Sequence, residues 1–275
     1  MDKTVSEKTV LFFQNKKFIV AILFILLLLA GIGIGLIDFS DMPMDFAVTR
    51  QFHSLVLTRG IYYQMNTPDT LSMSQEIRSF GITAGNAISI IEPPILENLV
   101  AWVYNVLGGE NIFVGRVFSI LFWVVGGIPL FLLARKVMSV NGALAALGFY
   151  LFTPFGVYES RSFQPDPMAI MFMLWALYFQ IQWFKTDKIK NGFLAGVFTG
   201  ITIFVKVPLI FFTGVPFAVL VLLKGIKYSF QKGRVYWFAL LAILPALAYY
   251  IYRIILDPTG SGGGILESRF FPQLL

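Results

Sequence analysis

Seven long apolar stretches constrain this chain more than anything else in it. They run over 18–37, about 111–134, 141–157, 166–184, 191–205, 208–223 and 235–256. A helix needs about 20 consecutive apolar residues to cross the hydrocarbon layer of a bilayer, and these runs reach or approach that length. They are continuous rather than alternating, which argues against transmembrane β-strands. Of the 275 residues, 57% are hydrophobic and 13% charged, a balance foreign to a soluble domain of this size. The expected fold is all-α: a polytopic helical membrane protein with about seven transmembrane helices. The first run has no small-residue cleavage site and is too long for a signal-peptide core, so it reads as a retained helix. The fifth and sixth runs are short and read alternatively as one kinked hairpin around Lys206-Val207-Pro208.

Charge sets the expected orientation. With the N-terminus in the cytoplasm, the inner segments hold thirteen basic residues, among them Arg135, Lys136, Lys185, Lys188, Lys190 and Lys224, against three acids. The outer segments hold eight basic and twelve acidic residues. That is the asymmetry of the positive-inside rule, and it assigns the net charge of +6 to membrane topology rather than to nucleic-acid binding. The chain contains no cysteine, which excludes disulfides and thiolate metal sites. The expected layout is a cytoplasmic N-terminus (1–17), a transmembrane module (18–256) and an extracytoplasmic tail (257–275) leading to a C-terminal part absent from this chain. The first extracytoplasmic loop, 38–110, is expected to carry two interfacial helices, at about 45–58 and about 94–107. Trp102 and Tyr104 in the second are the aromatic anchors of a helix lying at the membrane surface.

That loop concentrates the polar chemistry. Asp38, Asp41 and Asp45 fall within eight positions, and Pro43 precedes a segment bearing Arg50, the single histidine His53, and Arg59, with Gly60 as a stop. Acids crowded against the mouth of a membrane helix are costly unless solvated or used. On a helix, Asp45, Thr49 and His53 share a face. Asp45 reads either as an N-cap or as a functional carboxylate, and Asp166, after Pro165, has the same two readings. Lys206 lies between two apolar runs, where it snorkels to the interface or meets a lipid phosphate. Gly192, Gly196 and Gly200 repeat every four residues, as tight helix packing requires.

Four patterns in order, DFAVTRQFHSLVLTRG from Asp45, Glu92-Pro93-Pro94 with Arg116 in GRVFSILF, ESRSFQPDPMAIMFMLWAL around Asp166, and GVFTGITIFVKVPLIFF around Lys206, resemble the type C glycosyltransferases of the protein O-mannosyltransferase and aminoarabinose transferase kind. The resemblance covers about residues 20–225. Two departures stand out: Phe46 where family members often have glutamate after the aspartate, and Glu92 where many have histidine or lysine. The resemblance implies transfer of a sugar from a polyprenyl-phosphate carrier to an acceptor hydroxyl on a protein, lipid or glycan, in one inverting displacement at the outer membrane face. Such a reaction needs one carboxylate to take the acceptor's proton and cations to stabilise the departing phosphate. The expected roles are Asp45 as base, with Asp166 and His53 beside it. Lys206, Arg161 and Arg116 are expected on the donor phosphate, and Glu92 with Asp45 around a possible divalent cation. The rival reading is a lipid-binding transporter or a non-catalytic subunit with a partner in a membrane complex; the absence of an evident internal repeat weighs against the transporter.

Overall fold

The computed structural model describes residues 16–44, 46–90, 92–231 and 233–256; Asp45, the N-terminal segment 1–15 and the tail 257–275 lie outside the described residues. Every regular element among the described residues is helical. The chain is an integral, multi-pass membrane protein. The first apolar run forms α1 (Lys16–Gly35), a helix exposed along most of its length that packs on the bundle. The loop then gives α2 (Val48–Gln64), the short α3 (Pro68–Ser72), α4 (Gln75–Ala87) and α5 (Ile95–Leu107). The bundle continues with α6 (Phe113–Ala134), α7 (Val140–Phe152), α8 (Pro154–Ser160), α9 (Asp166–Thr186) and α10 (Ile189–Val205). After one 3-10 turn (Val207–Leu209) come α11 (Ile210–Lys224), α12 (Ile226–Gln231) and α13 (Arg234–Leu256).

All seven apolar runs are helical, but they are not seven equal spans. Five are long and apolar enough to cross a membrane. A sixth is the pair α7 and α8, bent by 61°. The bend follows from local chemistry: the Thr153 side chain accepts a hydrogen bond from the Gly156 amide and Pro154 opens α8 at N1, so the chain stops one helix and caps another within two residues. The remaining run, α10, has 17 residues and falls short of the full hydrocarbon thickness. It packs against α9 and α13. Its glycine stripe is the reason: Gly192 lies against the Trp183 ring, and Gly196 and Gly200 lie against Leu241 of α13, where a Cβ at Gly200 would strike the Leu241 carbonyl.

The loop between α1 and α6 carries more helix than its sequence pattern suggests. The first interfacial helix begins at Val48 rather than at Asp45, because Ala47 adopts a left-handed conformation (φ 47°) that no helix can include. It also runs past Gly60 to Gln64. Gly60 is not a stop; it is where α2 crosses α4, and a Cβ there would lie 2.7 Å from the Gly85 Cα. The second interfacial helix matches its expected place. Leu96, Glu97, Val100, Ala101 and Tyr104 form its buried stripe, while Trp102, Val106 and Leu107 stay exposed. One apolar core joins this loop to the bundle: Tyr62, Tyr63, Leu96, Val100 and Tyr104 pack with Phe163, Met168 and Val205. The loop between α1 and α6 is therefore docked on the start of α9 and the end of α10.

Candidate functional site

Helix α2 lies at the centre of a polar network. Its Gln51 is fully buried. The Gln51 Nε2 donates to the Phe46 carbonyl at 2.6 Å, and its Oε1 accepts from the Phe163 amide at 3.0 Å. One side chain thus ties the residue after Asp45 to the loop before Asp166. One turn further on, Ser54 donates to Glu97 of α5 at 2.8 Å. Burial, the main cause, raises the Glu97 carboxyl above its ordinary value of 4.5, while the Ser54 hydrogen bond opposes that rise. Arg50 pairs with Glu92 at 2.5 Å, just ahead of the Pro93-Pro94 entry to α5. The His53 Nε2 donates to the Ser89 carbonyl at 2.7 Å, which fixes its proton on that nitrogen. A cleft of about 240 Å³ continues this face of α2, lined by Leu57, Gly60, Ile61 and Gln64 with Ile88 and Ile90 opposite.

The second half of the network lies at the bundle rim. Helix α10 ends at Val205, and Lys206 takes an extended conformation (φ −150°, ψ 97°) before the proline-bearing 3-10 turn. That break lets the side chain leave the helix axis, and it pairs with Asp166 at the first position of α9. Both side chains are about one quarter exposed. Asp166 also benefits from the unpaired amides of its helix start. Glu159, buried at the end of α8, accepts from Gln164 at 2.8 Å and lies within electrostatic reach of both Asp166 and Lys206. Arg116 and Arg161 reach toward the same rim from α6 and from the end of α8. Arg116 Nη1 donates to the Asp38 and Phe39 carbonyls at 3.3 and 3.0 Å, and Arg161 Nη1 to the Ile37 carbonyl at 3.1 Å. Together they hold down the chain that leaves α1.

The sequence matches the family model of the dolichyl-phosphate-mannose-protein mannosyltransferases over residues 92–252, more than half of the chain. The chain belongs to this family. No curated protein and no solved structure matches it. The mannosyltransferase family is one of membrane glycosyltransferases of type C. The match covers Glu92, Arg116, Arg161, Asp166 and Lys206, and begins after Asp45 and His53.

Of the residues singled out in the sequence, Asp166 and Lys206 come together directly, and His53, Glu92, Arg116 and Arg161 lie in the network at the same end of the bundle. Asp45 is outside the described residues, but its chain neighbour Phe46 is part of that network through Gln51. The described residues do not form a metal cage: no group of three or more histidine, aspartate or glutamate side chains converges among them, and the Glu92 carboxylate is occupied by Arg50. Gln51, Ser54, Glu97, Glu159 and Gln164 were not legible as site residues. The signal that marks them is polarity out of place: Gln51 and Ser54 on an inward helix face, and Glu97 and Glu159 within largely apolar segments.

Proposed function

We propose that this mannosyltransferase-family protein transfers a sugar from a polyprenyl-phosphate donor to an acceptor hydroxyl at the outer membrane face, in a single inverting displacement. The observation that carries this reading is the Asp166–Lys206 pair, within reach of Glu159, at the membrane rim. A lipid-linked phosphate lies at that depth, and Lys206 supplies a cation for it. Asp166 holds the ammonium at the helix end when no phosphate shares it. The acceptor oxygen forms its new bond to the anomeric carbon as the bond from that carbon to the phosphate oxygen breaks. The departing phosphate leaves as a stable anion, so no acid need protonate it. The acceptor's proton goes to Asp45, the chain neighbour of Phe46, whose carbonyl Gln51 holds. His53 and the cleft beside it lie on the acceptor side of α2 in this arrangement. No step is assigned to a metal ion, because Glu92 is committed to Arg50.

The decisive experiment is transfer from a polyprenyl-phosphate sugar in nanodiscs, with Asp45→Asn beside wild type. Asparagine is nearly isosteric, so folding is preserved. Loss of a general base lowers the rate by about 10²- to 10⁴-fold, with donor binding unchanged. A D45N protein that transfers at the wild-type rate moves the base elsewhere, with Asp166 the next carboxylate to test. Wild-type protein inactive with every donor would favour a non-catalytic subunit instead.

A further inference from the structure

At the opposite end of α9 from Asp166, about 30 Å along the helix, lysines converge on a second cavity. It has a volume of about 430 Å³ and lies between the last turns of α9 and the first turns of α10. Tyr178, Gln182, Thr186, Lys188, Lys190 and Asn191 supply its polar lining, with Phe179 and Leu194 as apolar wall. Lys136, just after α6, places its ammonium 5.4 Å from the centre of the Tyr178 ring. Burial first, and then the like charge of Lys185, hold Lys136 below the ordinary lysine range. The acid of this turn does not relieve the repulsion. Asp187 pairs with Lys224 at 2.6 Å, and Lys224 also donates to the Phe184 carbonyl at 2.9 Å. Among the described residues, Lys136, Lys185, Lys188 and Lys190 form no ion pair.

The remaining polar groups are tied to one another. Gln182 donates to the Tyr178 hydroxyl at 2.8 Å, Asn191 to the Thr186 hydroxyl at 2.9 Å, and Thr186 in turn to the Gln182 carbonyl at 2.7 Å. The result is a fixed polar floor, a rim of unneutralised cations and an apolar side wall. Two of these lysines, Lys188 and Lys190, line the cavity itself. We infer that this pocket binds the phosphate headgroup of an anionic membrane phospholipid, at the membrane face opposite the Asp166–Lys206 pair. The cationic rim takes the phosphate and the Phe179–Leu194 wall takes the start of the acyl chains. This assignment does not rest on the transferase reading.

The test uses the full chain in phosphatidylcholine nanodiscs with stepped fractions of phosphatidylglycerol, and native mass spectrometry to count the phosphatidylglycerol retained. K188Q/K190Q should weaken retention about thirtyfold, since each lysine near an anionic headgroup contributes about one factor of five to six. K17Q/K227Q removes the same charge from exposed positions outside the pocket and should retain lipid like wild type. Equal loss in both variants would overturn the site in favour of a diffuse surface potential. Thermal melting confirms that both variants fold. A second arm separates the two sources of phosphate: phosphatidylglycerol should shield Lys188 and Lys190 from acetylation where inorganic phosphate does not. Equal shielding by inorganic phosphate, with no lipid retained, would overturn the lipid assignment.

Discussion

Replacing Gln51 by leucine tests the joint on which the candidate site depends. The side chain is fully buried and bridges two segments that are 112 positions apart at its Phe163 contact. Leucine keeps nearly the same volume but can neither donate nor accept. The buried Phe163 amide then loses its Gln51 acceptor, at a cost of about 1–3 kcal/mol for a group left unsatisfied. Loss of the bond to the Phe46 carbonyl, which is less deeply placed, adds about 0.5–1.5 kcal/mol. The sum is about 2–4 kcal/mol, and a chain of this size should melt roughly 5–10 °C lower. Stability is the smaller part of the expectation. Well below the melting temperature, sugar transfer should fall at least about tenfold, because the turn that follows Asp45 is no longer anchored to the loop before Asp166. Donor binding through Lys206 should hardly change.

Gln51→Glu supplies the control. Its neutral acid still accepts from the Phe163 amide and donates to the Phe46 carbonyl; its anion accepts but cannot donate. A buried carboxyl binds its proton more tightly in the folded state than in the unfolded one, so folded protein holds more protons and stability rises as pH falls. The melting deficit of Q51E should therefore shrink toward acid pH while that of Q51L stays constant. If Q51L melts and transfers like wild type, Gln51 only fills space and the proposed joint does not exist.

Other expectations concern single groups. Lys206→Met keeps the stem and removes the charge, so binding of a polyprenyl phosphate measured on purified protein should weaken about ten- to a hundredfold, the worth of one charge-assisted hydrogen bond; unchanged binding reduces Lys206 to a snorkelling anchor. Glu97 has its folded-state carboxyl raised by burial, so the folded protein holds the extra proton and wild type should lose stability as pH rises above about 4.5. Glu97→Gln should flatten that profile in thermal melting and be the more stable protein at neutral pH; parallel profiles would mean that Glu97 ionises freely. Single cysteines at the exposed positions Glu76 and Lys227 report orientation without background, since the chain has no cysteine of its own. An impermeant reagent on intact cells should label E76C and spare K227C, and the reverse pattern would put the outer network on the cytoplasmic face.

The fold was largely legible because its main signal is local. Each apolar run becomes a helix wherever about 20 such residues follow one another. Lys206 followed by Pro208 marks the break before α11, and Pro165-Asp166-Pro167 marks the start of α9. The loop between α1 and α6 was less legible because its glycines and caps carry two meanings. Gly60 followed by Ile61 reads the same whether it ends a helix or lets one cross another, and only Gly85, 25 positions later, decides. Likewise Pro43 and Asp45 form a good local start, yet Ala47 turns left-handed and delays the helix to Val48.

The site was the least legible part because the bonds that join its helices are non-local. Arg50 meets Glu92 across 42 positions, Ser54 meets Glu97 across 43, and Lys206 meets Asp166 across 40. No window of sequence contains any of these pairs. What the sequence does contain is each half: a charged or amide side chain on a face that should be apolar. Such a half is costly to bury alone, so each one implies a partner elsewhere in the chain. Glu92 is one such half. Its partner is the guanidinium of Arg50, 42 positions earlier in the chain. Arginine satisfies a carboxylate with directed donors and no loss of ligands from water. A half-buried acid such as Glu92 is thus matched by a side-chain cation from the same chain.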